Sequence, residues 1–255
     1  MRVKEKVISP YSHEFYKNRH QNTVHSASTI LGILANHIPP IQSAVDIGCG
    51  VGTWLSVLHE QGIEEIQGVD GSWVDESLLA IPKNRFKQID LSTALVRLER
   101  KFDLAISLEV AEHLPAERAD DFVSSLTALS DQILFSAAIP FQGGANHVNE
   151  QWQSYWVKKF DSLNYEVHDF IRPKIWSDIR IPYWYRQNTL FFSRRGTTHT
   201  RSSKEGSTTP QVIPIDLVHP ELYAQKNVQL DLRGSFRVFH RSLKSYLRNK
   251  ANRNG

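Results

Sequence analysis

The stretch AVDIGCGVGTW, residues 44–54, combines residue types from which a ligand site can be built. A short apolar run ends in an acid, Asp46, and three glycines follow at alternate positions, Gly48, Gly50 and Gly52. Glycine allows a sharp backbone turn and a close approach of a ligand to the main chain, because it carries no Cβ atom. We therefore expect a bound molecule at this turn.

The spacing of the glycines restricts the kind of ligand. The dinucleotide fingerprint G-x-G-x-x-G would need glycine where Thr53 stands, and a P-loop would need a Gly-Lys-Ser/Thr sequence that does not follow. Two further acids end predicted strands: Asp70, twenty residues after Gly50, and Asp90, which precedes Leu91. A carboxylate suits a ribose diol, although either acid alone could equally be a strand-end turn residue. The pattern favours a ligand without phosphate.

This D-x-G-x-G-x-G pattern resembles motif I of the class I S-adenosylmethionine-dependent methyltransferases, and the resemblance covers about residues 40–195. The segment FDLAISLEVAEHLP, residues 102–115, resembles the fourth-strand motif of that family. The resemblance implies that S-adenosylmethionine is the cofactor, with an NAD enzyme or a catalytically inactive cofactor-binding relative as alternatives. The implied cofactor-binding residues are Asp46, Gly48, Gly50, Gly52, Asp70, Asp90 and Leu91.

A second group of reactive side chains follows the fourth and fifth predicted strands. Glu109, Glu112 and His113 would share one face of a helical turn, and His147 comes after the fifth strand. Neighbouring strand ends open into one cleft, so His147 could approach the other three residues. A histidine with a pKa near neutrality can act as a general base, which makes His113, His147 and Glu112 the candidate catalytic residues.

The same four side chains could instead hold a divalent metal ion. The E-x-x-E-H element resembles that of the ubiquinone-biosynthesis O-methyltransferases and, with a later histidine, that of the metal-assisted 2′-O-methyltransferases of small-RNA ends. These resemblances imply Glu109, Glu112, His113 and His147 as ligands of Mg or Mn. Imidazole ligands disfavour Mg, and the alternative is an acid/base or structural role without metal.

The segments HVNEQWQSYW and PYWYRQNTLFF resemble a bacterial group of these enzymes found with surface-polysaccharide genes. That resemblance implies O-methylation of a saccharide or glycan intermediate as the activity. These segments are rich in aromatic faces on which sugars can stack: Trp152, Tyr155, Trp156, Trp184 and Tyr185. Residues 152, 155, 156 and 160 lie at helical spacing, which predicts that several are core and that about half of the aromatic side chains are buried. The alternatives are an N- or O-methyltransferase for a small metabolite or RNA 3′ end, and a non-catalytic regulatory module that binds S-adenosylmethionine.

Strand and helix patterns alternate along the chain, which predicts an α/β fold. We expect a Rossmann-like, doubly wound, mostly parallel seven-stranded sheet with helices on both faces. The predicted organisation is an N-terminal helical segment (1–39), the methyltransferase-like domain (40–195), a Ser/Thr/Gly-rich linker (196–210) and a basic, helical tail (211–255).

The basic charge is concentrated in the tail. From Gly196 onward ten Lys/Arg outnumber four Asp/Glu, whereas residues 1–195 carry 20 basic and 23 acidic groups, so nucleic-acid binding by the main domain is not expected. Residues 233–253 have seven Lys/Arg, no acid and apolar residues at helical spacing, which predicts a helix that binds an anionic membrane surface or a protein partner. The lone Cys49 and the absence of a hydrophobic signal core favour a cytoplasmic protein, with attachment to the inner membrane surface through the tail as the further possibility.

Overall fold

The computed structural model describes residues 13–197, 214–226, 235–237, 239–240 and 242–244, with side chains described from residue 23 onward. Within these ranges seven strands form one sheet in the order β3-β2-β1-β4-β5-β7-β6, and β7 alone runs in the direction opposite to the other six. The strands are β1 (Ser43–Ile47), β2 (Glu65–Asp70), β3 (Phe86–Gln88), β4 (Leu104–Leu108), β5 (Gln132–Ser136), β6 (Tyr165–His168) and β7 (Leu190–Arg194). The predicted Rossmann-like, mostly parallel sheet is confirmed.

Helices connect the strands as the alternating pattern predicts. They are α1 (His13–Ala35), α2 (Thr53–Glu60), α3 (Ala119–Leu129), α4 (Gln153–Ser162), α5 (Arg172–Ile175), α6 (Tyr183–Asn188) and α7 (Pro220–Lys226). Short 3-10 turns lie at Glu76–Leu78, Lys83–Arg85, Ala111–His113 and Ala116–Arg118. None of the helices in the described part of the chain is long and apolar enough to cross a membrane.

The sheet separates two apolar cores, because successive side chains of a strand point to opposite faces. Along β5, Ile133 and Phe135 pack into one core, and Leu134 packs into the other. The first core includes Phe122 of α3 and Phe160 of α4. The second includes α2 together with four residues of α1, namely Ala27, Ile30, Leu31 and Leu34. Helices therefore cover both faces, and α1 packs directly on the sheet domain.

The described residues divide into two compact units between residues 219 and 220. Residues 214–219, which the sequence assigns to the tail, belong to the first unit. Asp216 accepts hydrogen bonds from Ser154, and the Ile215 carbonyl accepts one from the buried Arg172 guanidinium. The predicted linker lies outside the described residues beyond position 197. Of the predicted tail helix, residues 235–237, 239–240 and 242–244 are described, and all are helical.

Candidate functional site

The glycine turn joins β1 to α2 at the point where the strand order reverses, between β1 and β4. Gly48 and Gly50 have positive φ angles of 84° and 54°, a conformation that side chains rarely tolerate. A Cβ atom at Gly48 would overlap the Val110 side chain, whereas a Cβ at Gly50 would meet no atom within 4 Å. The turn is thus closed at Gly48, where the Val110 side chain packs, and open at Gly50, where a ligand can lie against the main chain.

Asp70, the last residue of β2, is fixed beside this opening. Its Oδ2 accepts a 2.7 Å hydrogen bond from the Gly50 N–H, and its Oδ1 accepts one of 2.7 Å from the Gly71 N–H. A carboxylate beside this opening is the kind of acceptor that suits the paired hydroxyls of a ribose. The buried side chain of Asp46 lies deeper in β1, and burial together with the nearby Asp70 carboxylate raises its pKa well above the usual value.

Asp90 and Leu91 follow β3 but differ in their surroundings. The exposed Asp90 carboxylate accepts hydrogen bonds from the backbone N–H and hydroxyl of Ser92, which close a local turn. Leu91 is buried and belongs to the first core. Asp90 is therefore accessible from solvent, and both hydrogen bonds from Ser92 use its Oδ1 alone.

Glu109 follows β4 but turns away from the other predicted metal ligands. Its φ of 57° is unusual for a residue with a side chain, and its N–H donates to Ser136 of β5. The buried carboxylate accepts hydrogen bonds from the Gln142 and Asn188 amides, at 2.9 and 3.1 Å. Neither amide was identified from the sequence, because one lies in a loop and the other at the end of α6. Glu109 therefore belongs to a buried polar network.

Glu112, His113 and His147 are brought together at the ends of β4 and β5. Each offers a ligand atom, and these atoms lie within 4.8 Å of one another. His147 Nε2 is 4.0 Å from Glu112 Oε1, and the two imidazole rings contact edge-on at 4.8 Å between centroids. The Glu112 carboxylate is fully buried beside the His147 imidazole.

The loop that carries His147 is tied to both neighbouring strands. The Val148 and Asn149 N–H groups donate to the Glu112 carbonyl, at 2.9 and 3.0 Å. Gln151 N–H donates to the carbonyl of Ala138, just beyond β5. Glu150 accepts a 2.9 Å hydrogen bond from His147 Nδ1. The cluster is therefore held in place before any ligand binds.

The aromatic residues that follow this loop divide between core and surface. Trp156 and Tyr185 are buried in the two cores, and Tyr155 and Trp184 are half-buried. Trp152 is exposed at the start of α4. Trp156 and Tyr185 are thus unavailable for stacking on an acceptor, as the helical spacing predicts for about half of the group.

Comparison with known proteins assigns the chain to a family. Residues 17–169 match the sequence profile of the methyltransferase domain family, and the chain belongs to that family. This membership confirms the predicted enzyme class and its cofactor, S-adenosylmethionine. No curated protein matches the chain in sequence.

The chain is similar to several solved structures at low sequence identity. An O-methyltransferase family protein from Burkholderia thailandensis is 13% identical over 72% of this chain and 59% of that protein, with a TM-score of 0.51. The chain therefore spans less than two thirds of that protein. Magnesium protoporphyrin IX methyltransferase from Synechocystis PCC 6803, solved with bound SAH, is 20% identical over 70% of this chain and 85% of that protein, with a TM-score of 0.47. A SAM-dependent methyltransferase from Archaeoglobus fulgidus is 19% identical over 62% of this chain and 76% of its own, with a TM-score of 0.49.

Proposed function

We propose that this protein is an S-adenosylmethionine-dependent O-methyltransferase that acts on a saccharide or glycan intermediate. The observation that carries the proposal is the position of the Glu112, His113 and His147 cluster beyond β4 and β5, next to the open glycine turn beyond β1. When bound, S-adenosylmethionine supplies an electrophilic methyl group. Gly48, Gly50 and Asp70 would hold it, since the open backbone above Gly50 and the Asp70 carboxylate suit its methionine and ribose parts.

The residues of the cluster act on the acceptor. His147 accepts the proton of the acceptor hydroxyl at Nε2, which makes the oxygen a better nucleophile. The Glu112 carboxylate, 4.0 Å from that nitrogen, stabilises the imidazolium that results. His113 packs edge-on against the His147 ring and restricts its rotation. The chain thereby positions the hydroxyl and removes its proton, the two requirements for attack on an activated methyl group.

The surroundings of His147 support a neutral acceptor. Phe141 and Val148 are 82% and 65% exposed, and Trp152 is 40% exposed, so apolar faces flank the cluster. Residues 139–157 contain no lysine or arginine, which are the groups that bind phosphates. A saccharide, with apolar ring faces and many hydroxyls, fits this surface better than an RNA end does.

A transfer assay with [methyl-³H]S-adenosylmethionine tests the proposal. We expect incorporation into saccharide or glycan acceptors, and we expect His147→Ala to lower kcat about 100-fold or more while the affinity for the cofactor product is unchanged. His59→Ala, at the end of α2 and away from the cluster, is the matched control. Incorporation only into RNA or a small metabolite would overturn the glycan assignment, and cofactor binding without transfer to any acceptor would favour a regulatory module.

A metal-assisted version of the reaction is the second candidate, because Glu112, His113 and His147 offer one carboxylate and two imidazoles within 4.8 Å. This donor set fits Mn better than Mg, which prefers oxygen ligands. Glu109 is a weaker ligand candidate, since both its oxygens accept amide hydrogen bonds. Loss of activity in EDTA that is restored by Mn²⁺, together with stoichiometric metal in the purified protein, would support this version. Full activity after chelation would exclude it.

We further propose that the tail attaches the protein to the cytoplasmic surface of an anionic membrane. Phe236, Phe239 and Leu243 are exposed at helical spacing, in a segment rich in Lys and Arg. The full chain should co-sediment with vesicles that contain anionic lipid. The Phe236→Ser/Phe239→Ser double variant should co-sediment less, and high salt should reduce the binding of the wild-type chain. Equal binding to neutral vesicles would contradict the electrostatic part of the proposal, and binding of the full chain to no vesicle would favour a protein partner.

A further inference from the structure

Glu150 contacts the His147 ring on the side remote from Glu112. Its Oε1 is 2.9 Å from His147 Nδ1, and its side chain is only 19% exposed. An ionised carboxylate can only accept hydrogen bonds, so the proton of the neutral imidazole lies on Nδ1. The lone pair of the ring then lies on Nε2, the nitrogen that faces Glu112.

Glu150 is itself held by the main chain of the preceding loop. Its Oε2 accepts a 2.8 Å hydrogen bond from the Phe141 N–H, and its Oε1 accepts one of 2.6 Å from the Gly143 N–H. Phe141 has a positive φ of 69°, a strained conformation for an aromatic residue. One carboxylate thus holds both the strained loop and the histidine, which is typical of a site in which geometry matters.

The ring of His147 also needs the glycine beside it. A Cβ atom at Gly144 would overlap the imidazole, at Nε2 and Cε1. The φ of Gly144 is not in the left-handed region, so an alanine there is opposed by the ring and not by the backbone. A Gly144→Ala substitution should therefore displace the His147 ring and leave the Glu150 carboxylate itself unchanged.

We propose that Glu150 is a positioning residue that fixes the Nδ1–H tautomer of His147 and directs its Nε2 lone pair into the active site. The inference deepens the proposed function, since it rests on His147 as the base that accepts the acceptor's proton at Nε2. Carboxylates that orient metal-bound histidines in this way typically contribute about 10- to 100-fold to affinity or activity, and we expect an effect of that size for His147. Glu150 acts through His147 and does not itself need to contact the acceptor.

The direct test is imidazole ¹⁵N NMR of the full chain without ligand, at a pH where the His147 ring is neutral. We expect the wild-type ring to show the Nδ1–H tautomer, and Glu150→Gln to raise the Nε2–H fraction, because the amide offers a donor in place of an acceptor. The control is Glu64→Gln, which removes an exposed carboxylate 3.8 Å from His59. A wild-type His147 with its proton on Nε2, or a tautomer unchanged by Glu150→Gln, would overturn the proposal.

Kinetics separate this role from a structural one. We expect Glu150→Gln to lower kcat about 10- to 100-fold and to change the KM for S-adenosylmethionine less than twofold, with Glu64→Gln equal to wild type. Gly144→Ala should lower kcat by a similar factor while the unfolding midpoint changes little. This variant tests the role of the His147 ring position even if Glu150→Gln fails to fold. If both variants fold and keep the wild-type kcat, Glu150 does not position a catalytic histidine. If the tautomer responds as expected but no variant or wild-type protein transfers a methyl group, the positioning role stands and the proposed function fails.

Discussion

At the scale of single residues, two buried carboxylates lie close together in a site expected to bind a sulfonium cofactor. Asp46 is 2% exposed and Asp70 is 8% exposed. Burial and the neighbouring Asp70 both disfavour ionisation of Asp46, so the folded protein retains its proton to a higher pH than the unfolded chain does. The direction of this pKa shift can be measured from the pH dependence of stability, without an acceptor substrate.

A carboxyl group whose pKa is raised in the folded state stabilises the fold only while it remains protonated. We therefore expect its contribution to the free energy of unfolding to fall as pH rises from the ordinary aspartate pKa of 3.8 through the raised native value. Asp46→Asn should flatten this fall in denaturant unfolding measured from pH 4 to 8. The exposed Glu60→Gln is the control, and parallel curves for Asp46→Asn and wild type would contradict the assigned pKa shift.

At the scale of elements, the turn between β1 and α2 combines a structural glycine with one that serves the ligand. Gly48 has no room for a side chain because Val110 covers it, whereas Gly50 faces open space. A glycine required for folding and a glycine that faces the ligand thus lie within three residues, 48–50. The role of Gly50 in binding can be tested with a pair of variants, one at Gly50 and one at a distant glycine, in which the cost in backbone energy is similar and the cost in ligand affinity is not.

Gly50→Ala and Gly62→Ala form that pair. Both glycines have positive φ, and neither would meet an atom within 4 Å of an added Cβ. Each substitution should cost about 1–2 kcal/mol of stability for the left-handed conformation. Only Gly50→Ala should also weaken binding of S-adenosylhomocysteine, by about tenfold or more in calorimetry, because its methyl group enters the ligand space. Equal affinities for the two variants would contradict the placement of the cofactor.

The elements show which parts of the site can be read from the sequence. The strands, the glycine turn and the approach of His147 to Glu112 follow from alternating patterns and from the rule that parallel strand ends meet at one edge. The direction of Glu109 does not, because it depends on its φ of 57° and on amides from a loop and from α6. Glu150 stands three residues after His147 in the sequence, but its contact with His147 Nδ1 depends on a loop conformation that no periodicity predicts.

At the scale of the whole molecule, the first compact unit includes a segment that is distant in sequence from the glycine turn. The segment 214–219 contacts buried polar groups: the Leu217 carbonyl accepts from the Gln153 amide, and the His219 N–H donates to Gln187 Oε1. Gln187 in turn donates to Gln142, which contacts Glu109. A polar network therefore connects this segment to the loop that follows β4.

Two truncations test this connection. A chain that ends at residue 219 keeps the contacts, and a chain that ends at 213 leaves Gln153, Arg172 and Gln187 without these partners. Each buried group that loses its partner costs about 1–3 kcal/mol, so the shorter chain should melt several degrees lower than the longer one. Differential scanning calorimetry measures the difference, and identical melting temperatures would show that the segment contributes nothing to the unit.

The measurement that tests the central claim most directly is calorimetric titration of the protein with S-adenosylhomocysteine, for wild type, Asp70→Asn and His147→Ala. We predict one binding site per chain, an affinity about 10- to 100-fold weaker in Asp70→Asn, where a charged acceptor is lost, and an unchanged affinity in His147→Ala. This pattern would place the cofactor at the glycine turn and separate it from the residues that act on the acceptor. No binding by the wild-type protein, or equal binding by Asp70→Asn, would contradict the account.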